Sequence, residues 1–149
     1  ESLSVSLADR VDVDELVDKV LPAIGDGATA DARSKVRRDG SFGTLPAQLA
    51  TPLVLVLTEL VHNAQAHAFE PGRSGEVVVT AVRSGAGLDV TVADDGRGLP
   101  PGFSLEQAEG LGLQIVQTLC SSELDSHLRI SNRPEGGTVA ALRIPVAAS

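Results

Sequence analysis

Glu59, Asn63 and His67 are the first residues whose types and spacing could support chemistry, because each is four positions from the next. Residues four apart lie along one stripe of a helix. An amide oxygen can bind Mg²⁺, which prefers hard oxygen ligands, and a carboxylate can orient a metal-bound water or accept a proton. The stripe therefore fits a cation and phosphate site. The alternative is an ordinary solvated helix face, which is the commoner origin of such a pattern.

A second candidate is residues 94–98, Asp-Asp-Gly-Arg-Gly, which follow an apolar strand. Alternation along that strand places Asp94 on the inward side with Leu88, Val90 and Val92. A buried carboxylate needs a donor to offset its desolvation, and the exocyclic amine of adenine is one such donor. The two glycines of the segment would let the backbone approach a ligand closely. The alternative is a plain turn, for which Asp-Gly is a common dipeptide.

Glycines also open a predicted helix at residues 110–113, Gly-Leu-Gly-Leu. The free N–H groups and the dipole at a helix start suit anionic phosphates, although a glycine pair can equally be a flexible hinge. Residues 136–138, Gly-Gly-Thr, form a third glycine segment before the last predicted strand. That segment could be only a hairpin turn.

Local patterns indicate the helices that carry these segments. Asp12 and Glu15 form a capping box, which opens a helix that ends near Gly25. A capping threonine followed by proline, Thr51-Pro52, predicts the start of a second helix, and this helix runs to Phe69. Residues 1–11 have an amphipathic pattern that is typical of the end of a longer helix.

The strands follow from alternating apolar residues and from turn residues between them. Strands are expected at residues 33–38, 77–82, 88–92, 128–131 and 138–144, and a third helix at residues 113–119. Helices, then strands, then a helix and more strands favour an α/β fold: a two-layer sandwich of a mixed, largely antiparallel sheet and about three helices.

The composition excludes several classes of function. The 149 residues are 42% hydrophobic and carry a net charge of −8, so a globular domain is expected and a general nucleic-acid surface is not. Cys120 is the single cysteine, which fits a reducing, cytoplasmic compartment. The longest apolar run, at residues 53–57, is far too short to cross a bilayer. The chain begins at Glu1 without methionine, so a fragment is expected, and a membrane anchor upstream stays open.

In their order and content, these segments resemble the ATP-binding boxes of the histidine kinase-type ATPases, whose architecture is the Bergerat fold. Residues 59–69 resemble the N box, residues 94–98 the first glycine box and residues 110–115 the second. Residues 136–138 resemble the last glycine-threonine motif, and the similarity spans roughly residues 30–146. The continuation of the second glycine box as Leu-Gln-Ile-Val resembles the sensor kinases that have the second type of dimerisation and phosphotransfer domain.

The resemblance implies ATP and Mg²⁺ as cofactors, bound between helix 52–69 and a lid at residues 99–109. It assigns the adenine amine to Asp94, assisted by Thr138, the magnesium ion to Asn63, and a possible polarising role to Glu59. Leu99, Leu113 and Ile115 would wall the ring. The implied nucleotide-binding residues are Asn63, His67, Asp94, Gly96, Gly98, Gly110, Leu111, Gly112, Leu113 and Thr138.

The resemblance also implies that the chain is part of a larger protein in which catalysis and phosphate acceptance are functions of separate domains. Residues 1–24 would be the end of the dimerisation and phosphotransfer region with its linker helix, and residues 25–149 the catalytic domain. His62, His67 and His127 lack the surroundings of a phosphoacceptor, so the accepting histidine is expected on a separate domain. The expected partners are that phosphotransfer domain and a response regulator, with the intact kinase a homodimer and the isolated domain a monomer.

The sequence departs from the family pattern at two places, and three alternative functions stay open. Ala66 stands where many relatives have a basic residue, and only eleven residues separate Gly98 from Gly110. The alternatives are an ATP-hydrolysing conformational switch of the gyrase, HSP90 or MutL kind, an anti-sigma serine kinase, and a nucleotide-binding module without catalysis.

Overall fold

The computed structural model describes residues 10–26, 35–67, 75–96, 98 and 111–146, which contain three helices and seven strands. The helices are α1 (Val13–Asp26), α2 (Ala47–His67) and α3 (Leu111–Ser122). The strands are β1 (Arg10–Asp12), β2 (Lys35–Gly40), β3 (Thr44–Pro46), β4 (Glu76–Ser84), β5 (Gly87–Asp94), β6 (Arg129–Asn132) and β7 (Thr138–Pro145).

Five of the strands form one sheet in the order β2-β4-β5-β7-β6. Only β2 and β4 are parallel, and every other neighbouring pair is antiparallel. This confirms the predicted mixed, largely antiparallel sheet. In this register Asp94 at the end of β5 lies between Val77 of β4 and Thr138 of β7. The end of β5 is therefore flanked by the beginnings of β4 and β7.

The core lies between one face of this sheet and the helices. Leu88, Val90 and Val92 are buried on the inner face of β5, and Leu53 and Leu57 of α2 pack in the same cluster. Burying each such side chain contributes roughly 1.5–3 kcal/mol, so the inward alternation fixes which face of the strand the helices cover. Leu60 of α2 is buried in the same cluster, and Ala64 packs partly against it, so one face of this helix covers the sheet.

The start of α2 differs from its prediction. The helix begins at Ala47, and Pro52 stands at its sixth position and not at its first turn. Proline has no N–H to donate to the carbonyl of Gln48, so one helical bond is lost. Ala50 and Leu53 are nevertheless almost fully buried, and this packing keeps the first turns helical despite the proline.

The segment before α1 also differs from its prediction. Residues 10–12 form β1, which pairs with β3, and they are not the end of a helix. Arg10 donates to the side-chain and main-chain oxygens of Thr44, which favours the extended pairing. Asp12 then caps α1 by accepting from the amide of Glu15 at 3.1 Å, so the predicted capping box is confirmed on this side. Residues 1–9 lie outside the described residues.

Asp14, in the first turn of α1, anchors the loop that leads into β3. Its carboxylate accepts from Ser41 Oγ at 2.6 Å, from Phe42 N at 2.7 Å and from Gly43 N at 3.1 Å. Burial by itself would raise the pKa of Asp14, but these bonds and the nearby Arg38 hold it below its ordinary value. The anchor joins α1 to the body of the domain, while the predicted boundary between residues 1–24 and 25–149 remains a prediction.

Asp14→Asn should lower the free energy of unfolding at pH 7 by about 1–3 kcal/mol, because an amide is a weaker acceptor for three donors. The folded pKa of Asp14 is lowered, so its stabilisation is present above the unfolded pKa and is lost as the pH falls through the folded pKa. The deficit of the variant should therefore shrink between pH 7 and pH 3, as measured by urea unfolding. Asp39→Asn, on the exposed part of β2, is the control. Equal stability of wild type and Asp14→Asn at pH 7 would contradict the anchor.

Candidate functional site

Asp94 ends β5 with its side chain turned into the protein and only 5% of the residue exposed. Its Oδ1 accepts from Gly96 N at 2.9 Å and from Thr138 N at 3.3 Å. Burial raises the pKa of Asp94 above its ordinary value, and the two amides and Arg133 oppose that rise. The predicted inward position of Asp94 is confirmed.

The two carboxylate oxygens of Asp94 have different surroundings. Both hydrogen bonds from described residues end on Oδ1, and no described residue donates to Oδ2. Oδ2 is therefore the atom through which this carboxylate could bind a ligand that carries an N–H group.

Asp95 has a separate role, although it is the next residue. Its Oδ1 accepts from the amide of Glu76 at 2.9 Å, and its own amide donates to the carbonyl of Glu76 at 3.3 Å. The side chain thus closes the start of β4 on the exposed side. Of these two neighbouring carboxylates, that of Asp94 faces inward, and that of Asp95 binds the backbone at the start of β4.

The glycines of this region are required by close backbone approaches. Gly137 has φ +95°, and a Cβ there would lie 2.0 Å from the carbonyl oxygen of Asp94. Gly98 has φ +80°, and a Cβ there would lie 2.9 Å from Oδ1 of Asn132. Residues 136–137 therefore do form a turn between β6 and β7, but the turn is seated on Asp94. The interpretation as a mere hairpin turn misses this contact.

Helix α2 carries the predicted polar stripe. Glu59 and Asn63 are both partly buried, and Nδ2 of Asn63 is buried without a partner among the described residues. The nitrogen and oxygen of an amide can exchange places by rotation, so the inward end of Asn63 can present an acceptor oxygen. His67 is the last residue of α2, and its side chain lies outside the described residues.

A divalent cation at this place would need oxygen ligands from its nucleotide. The described residues contain no group of three or more His, Cys, Asp or Glu side chains that could hold a metal ion. Mg²⁺ commonly binds one or two protein oxygens, several waters and the phosphates of a substrate. The unpaired amide end of Asn63 fits that mode of binding.

Helix α3 begins at Leu111, so its first-turn amides have no helical acceptors. Leu113 packs partly against the core, whereas Ile115 is 40% exposed. Gly110 and the predicted lid at 99–109 lie outside the described residues. No helix in the described part of the chain combines the length and apolar character that a membrane crossing requires.

Arg133 is the residue of this site that sequence analysis missed. Its Nη1 donates to the main-chain oxygen of Asp94 at 2.8 Å. The sequence shows it only as part of a turn between two predicted strands. The register of β6 on β7, which brings the turn to the end of β5, is the signal that was needed.

Residues 48–148 match the family of histidine kinase-, DNA gyrase B- and HSP90-like ATPases, and the chain belongs to that family. It is 48% identical over 147 residues, 98% of its length, to the sensor histidine kinase PdtaS of Mycobacterium tuberculosis (strain CDC 1551 / Oshkosh), of which the match covers 29%. The PdtaS protein of Mycolicibacterium smegmatis (strain ATCC 700084 / mc(2)155) is also 48% identical, with 30% of its length covered. The chain thus spans about three tenths of these curated relatives.

Solved structures agree with this assignment. The histidine kinase domain from the Erythrobacter litoralis EL346 blue-light activated histidine kinase has a TM-score of 0.78 at 29% identity, covering 91% of this chain and 62% of that chain. The catalytic domain of histidine kinase ThkA has a TM-score of 0.72 at 21% identity, covering 94% of this chain and 97% of that chain, and supports the fold alone. The chain is a histidine kinase-type catalytic ATPase domain, and the predicted fold is confirmed.

Asp94→Asn should leave the free energy of unfolding at pH 7 unchanged or raise it by about 1 kcal/mol. The amide oxygen can still accept from Gly96 and Thr138, and the buried charge is removed. Because the folded pKa of Asp94 is raised, its contribution to stability is present below the unfolded pKa and is lost as the pH rises through the folded pKa. Urea unfolding without nucleotide, with the exposed Asp39→Asn as the control, measures this. A fall of several kcal/mol would show that the fold itself requires the Asp94 charge.

Proposed function

We propose that this chain binds Mg-ATP and transfers the γ-phosphoryl group to a histidine on a separate domain, as the catalytic part of a sensor histidine kinase. The observation that supports this most strongly is the buried Asp94 carboxylate with Oδ2 left for a ligand, in a chain 48% identical to sensor histidine kinases. Proteins rarely keep such a group for stability, because its desolvation is unfavourable.

The adenine ring would supply a donor to Oδ2 of Asp94, which receives none from the described residues. The exocyclic amine would donate to this oxygen, while Thr138 and Gly96 hold the other oxygen in place. A hydrogen bond to a charged group contributes about 1.5–3 kcal/mol. Guanine has a carbonyl at the same position and would face the carboxylate with a second acceptor, so the site favours ATP over GTP.

The phosphates would lie between the end of α2 and the start of α3. Asn63 would hold the magnesium ion through its amide oxygen, and His67 and the amides of residues 110–113 would hold the phosphate oxygens. When bound, Mg²⁺ neutralises charge that develops on the phosphates. Gly98, which has a positive φ of 80°, would be the hinge of the expected lid.

The reaction would be an in-line displacement at the γ-phosphorus. The imidazole nitrogen of the acceptor histidine forms the new P–N bond as the bond to the β-phosphate oxygen breaks, and ADP leaves. Glu59, partly buried on α2, would accept the proton released by the imidazole. Positioning and electrostatics account for most of the acceleration in such transfers.

The remaining assignments concern the larger protein. We propose that residues 1–24 end a dimerisation and phosphotransfer region, that residues 25–149 are the catalytic domain, and that the intact kinase is a cytoplasmic homodimer serving a response regulator. Support comes from the relatives, which are described as sensor histidine kinases. Similarity along 98% of the chain to these proteins favours the kinase over a gyrase-like or HSP90-like switch and over an anti-sigma serine kinase.

The chain joined to its phosphotransfer domain should incorporate acid-labile phosphate from Mg-ATP, and the chain alone should not. Asn63→Ala in the joined protein should slow labelling on the order of a hundredfold, because charge on the phosphates is no longer neutralised in place. His62→Gln, an exposed neighbour on α2, is the control and should label normally. Acid-stable label would indicate a serine kinase, and hydrolysis without label a conformational switch; either result would contradict the proposal.

A further inference from the structure

The turn at residues 133–137 contains two internal hydrogen bonds and packs against the backbone of Asp94. Arg133 N donates to the carbonyl of Gly137 at 2.9 Å, and Gly136 N donates to the carbonyl of Arg133 at 3.1 Å. Gly136 and Gly137 both have positive φ, of 106° and 95°. The turn therefore has one preferred shape, and that shape brings Gly137 against the backbone of Asp94.

The Arg133 side chain adds a direct bond to the same residue. Its Nη1 donates to the carbonyl oxygen of Asp94 at 2.8 Å, and only 26% of the side chain is exposed. Its Nη2 lies 3.6 Å from Oε2 of the exposed Glu135. A partly buried guanidinium with its charge directed at a main-chain oxygen makes a stronger bond than a neutral donor does.

The turn at residues 133–137 and the residue after it therefore donate both to the main-chain carbonyl and to the carboxylate of Asp94. Arg133 fixes its carbonyl, and the amide of Thr138, just after the turn, fixes Oδ1. With the carbonyl and one carboxylate oxygen fixed, the direction of Oδ2 is determined. We propose that Arg133 is a positioning residue for nucleotide binding, which fixes the direction of the Asp94 oxygen that receives the adenine amine.

This inference rests on the proposed function and extends it to a residue outside the family boxes. The charged groups that act on Asp94 among the described residues are Asp95, the residue after β5, and Arg133, on the turn before β7. Its cross-strand partners, Val77 and Thr138, are uncharged. Arg133 is thus the described cation that favours the ionised, accepting form of Asp94.

The test is a double-mutant cycle on Mg-ATP affinity, measured by calorimetry on the full chain. Arg133→Met keeps much of the aliphatic stem and should weaken binding about tenfold. In the Asp94→Asn background the same substitution should have little further effect, because the oxygen that Arg133 positions is no longer a charged acceptor. Arg129→Met, at an exposed position on β6, is the matched control and should bind as wild type does.

Thermal unfolding of each variant separates positioning from folding. If Arg133→Met does not fold, Arg133→Gln, which keeps a neutral donor, replaces it in the cycle, with a smaller loss of affinity expected in the wild-type background and again little effect in the Asp94→Asn background. An equal loss of affinity in the wild-type and Asp94→Asn backgrounds, or no loss in either, would overturn the role of Arg133. If the wild-type chain itself did not bind Mg-ATP, the proposed function would be the part that failed.

Discussion

The unfavourable burial of one carboxylate constrains the rest of this domain. Asp94 lies where β5 ends between β4 and β7, and its charge is offset by two amides and a guanidinium from separate segments. The amide of Gly96 is local, but the donors from Thr138 and Arg133 depend on strand register, because a shift of one residue would turn Asp94 to the outer face of the sheet. The sheet order and the glycine turn at residues 136–137 therefore together determine the position of Oδ2 of Asp94.

A second polar cluster lies at the edge of the sheet formed by β2. Asp14 and Asp18 of α1 share Arg38 of β2, and Asp14 also holds the loop at 41–43. The hydrogen bond from Arg38 is the main cause that lowers the pKa of Asp18. The carboxylates of this cluster have lowered pKa values and are engaged within the fold, whereas burial raises the pKa of Asp94 and no described residue donates to its Oδ2. The contrast shows why only one of the two clusters is a candidate site.

Much of the fold could be predicted because it depends on local periodicity. Alternation along β4 and β5 and the capping by Asp12 are properties of neighbouring residues. The start of α2 could not, because Thr51-Pro52 is a good local signal that the burial of Ala50 and Leu53 overrides. The inward position of Asp94 followed from alternation, but the contact of Arg133 with it depends on pairing between strands far apart in the chain. Local sequence patterns cannot predict contacts that depend on the register between strands distant in the sequence.

The pairing of Asp94 with the adenine amine is tested most directly by removing each partner in turn. Calorimetry would compare ATP with purine riboside triphosphate, which lacks the exocyclic amine, on wild type, Asp94→Asn and Asp95→Asn. We expect the wild type and Asp95→Asn to lose about tenfold or more in affinity when the amine is removed, and Asp94→Asn to lose little. An equal loss for Asp94→Asn and the wild type would contradict the proposed site.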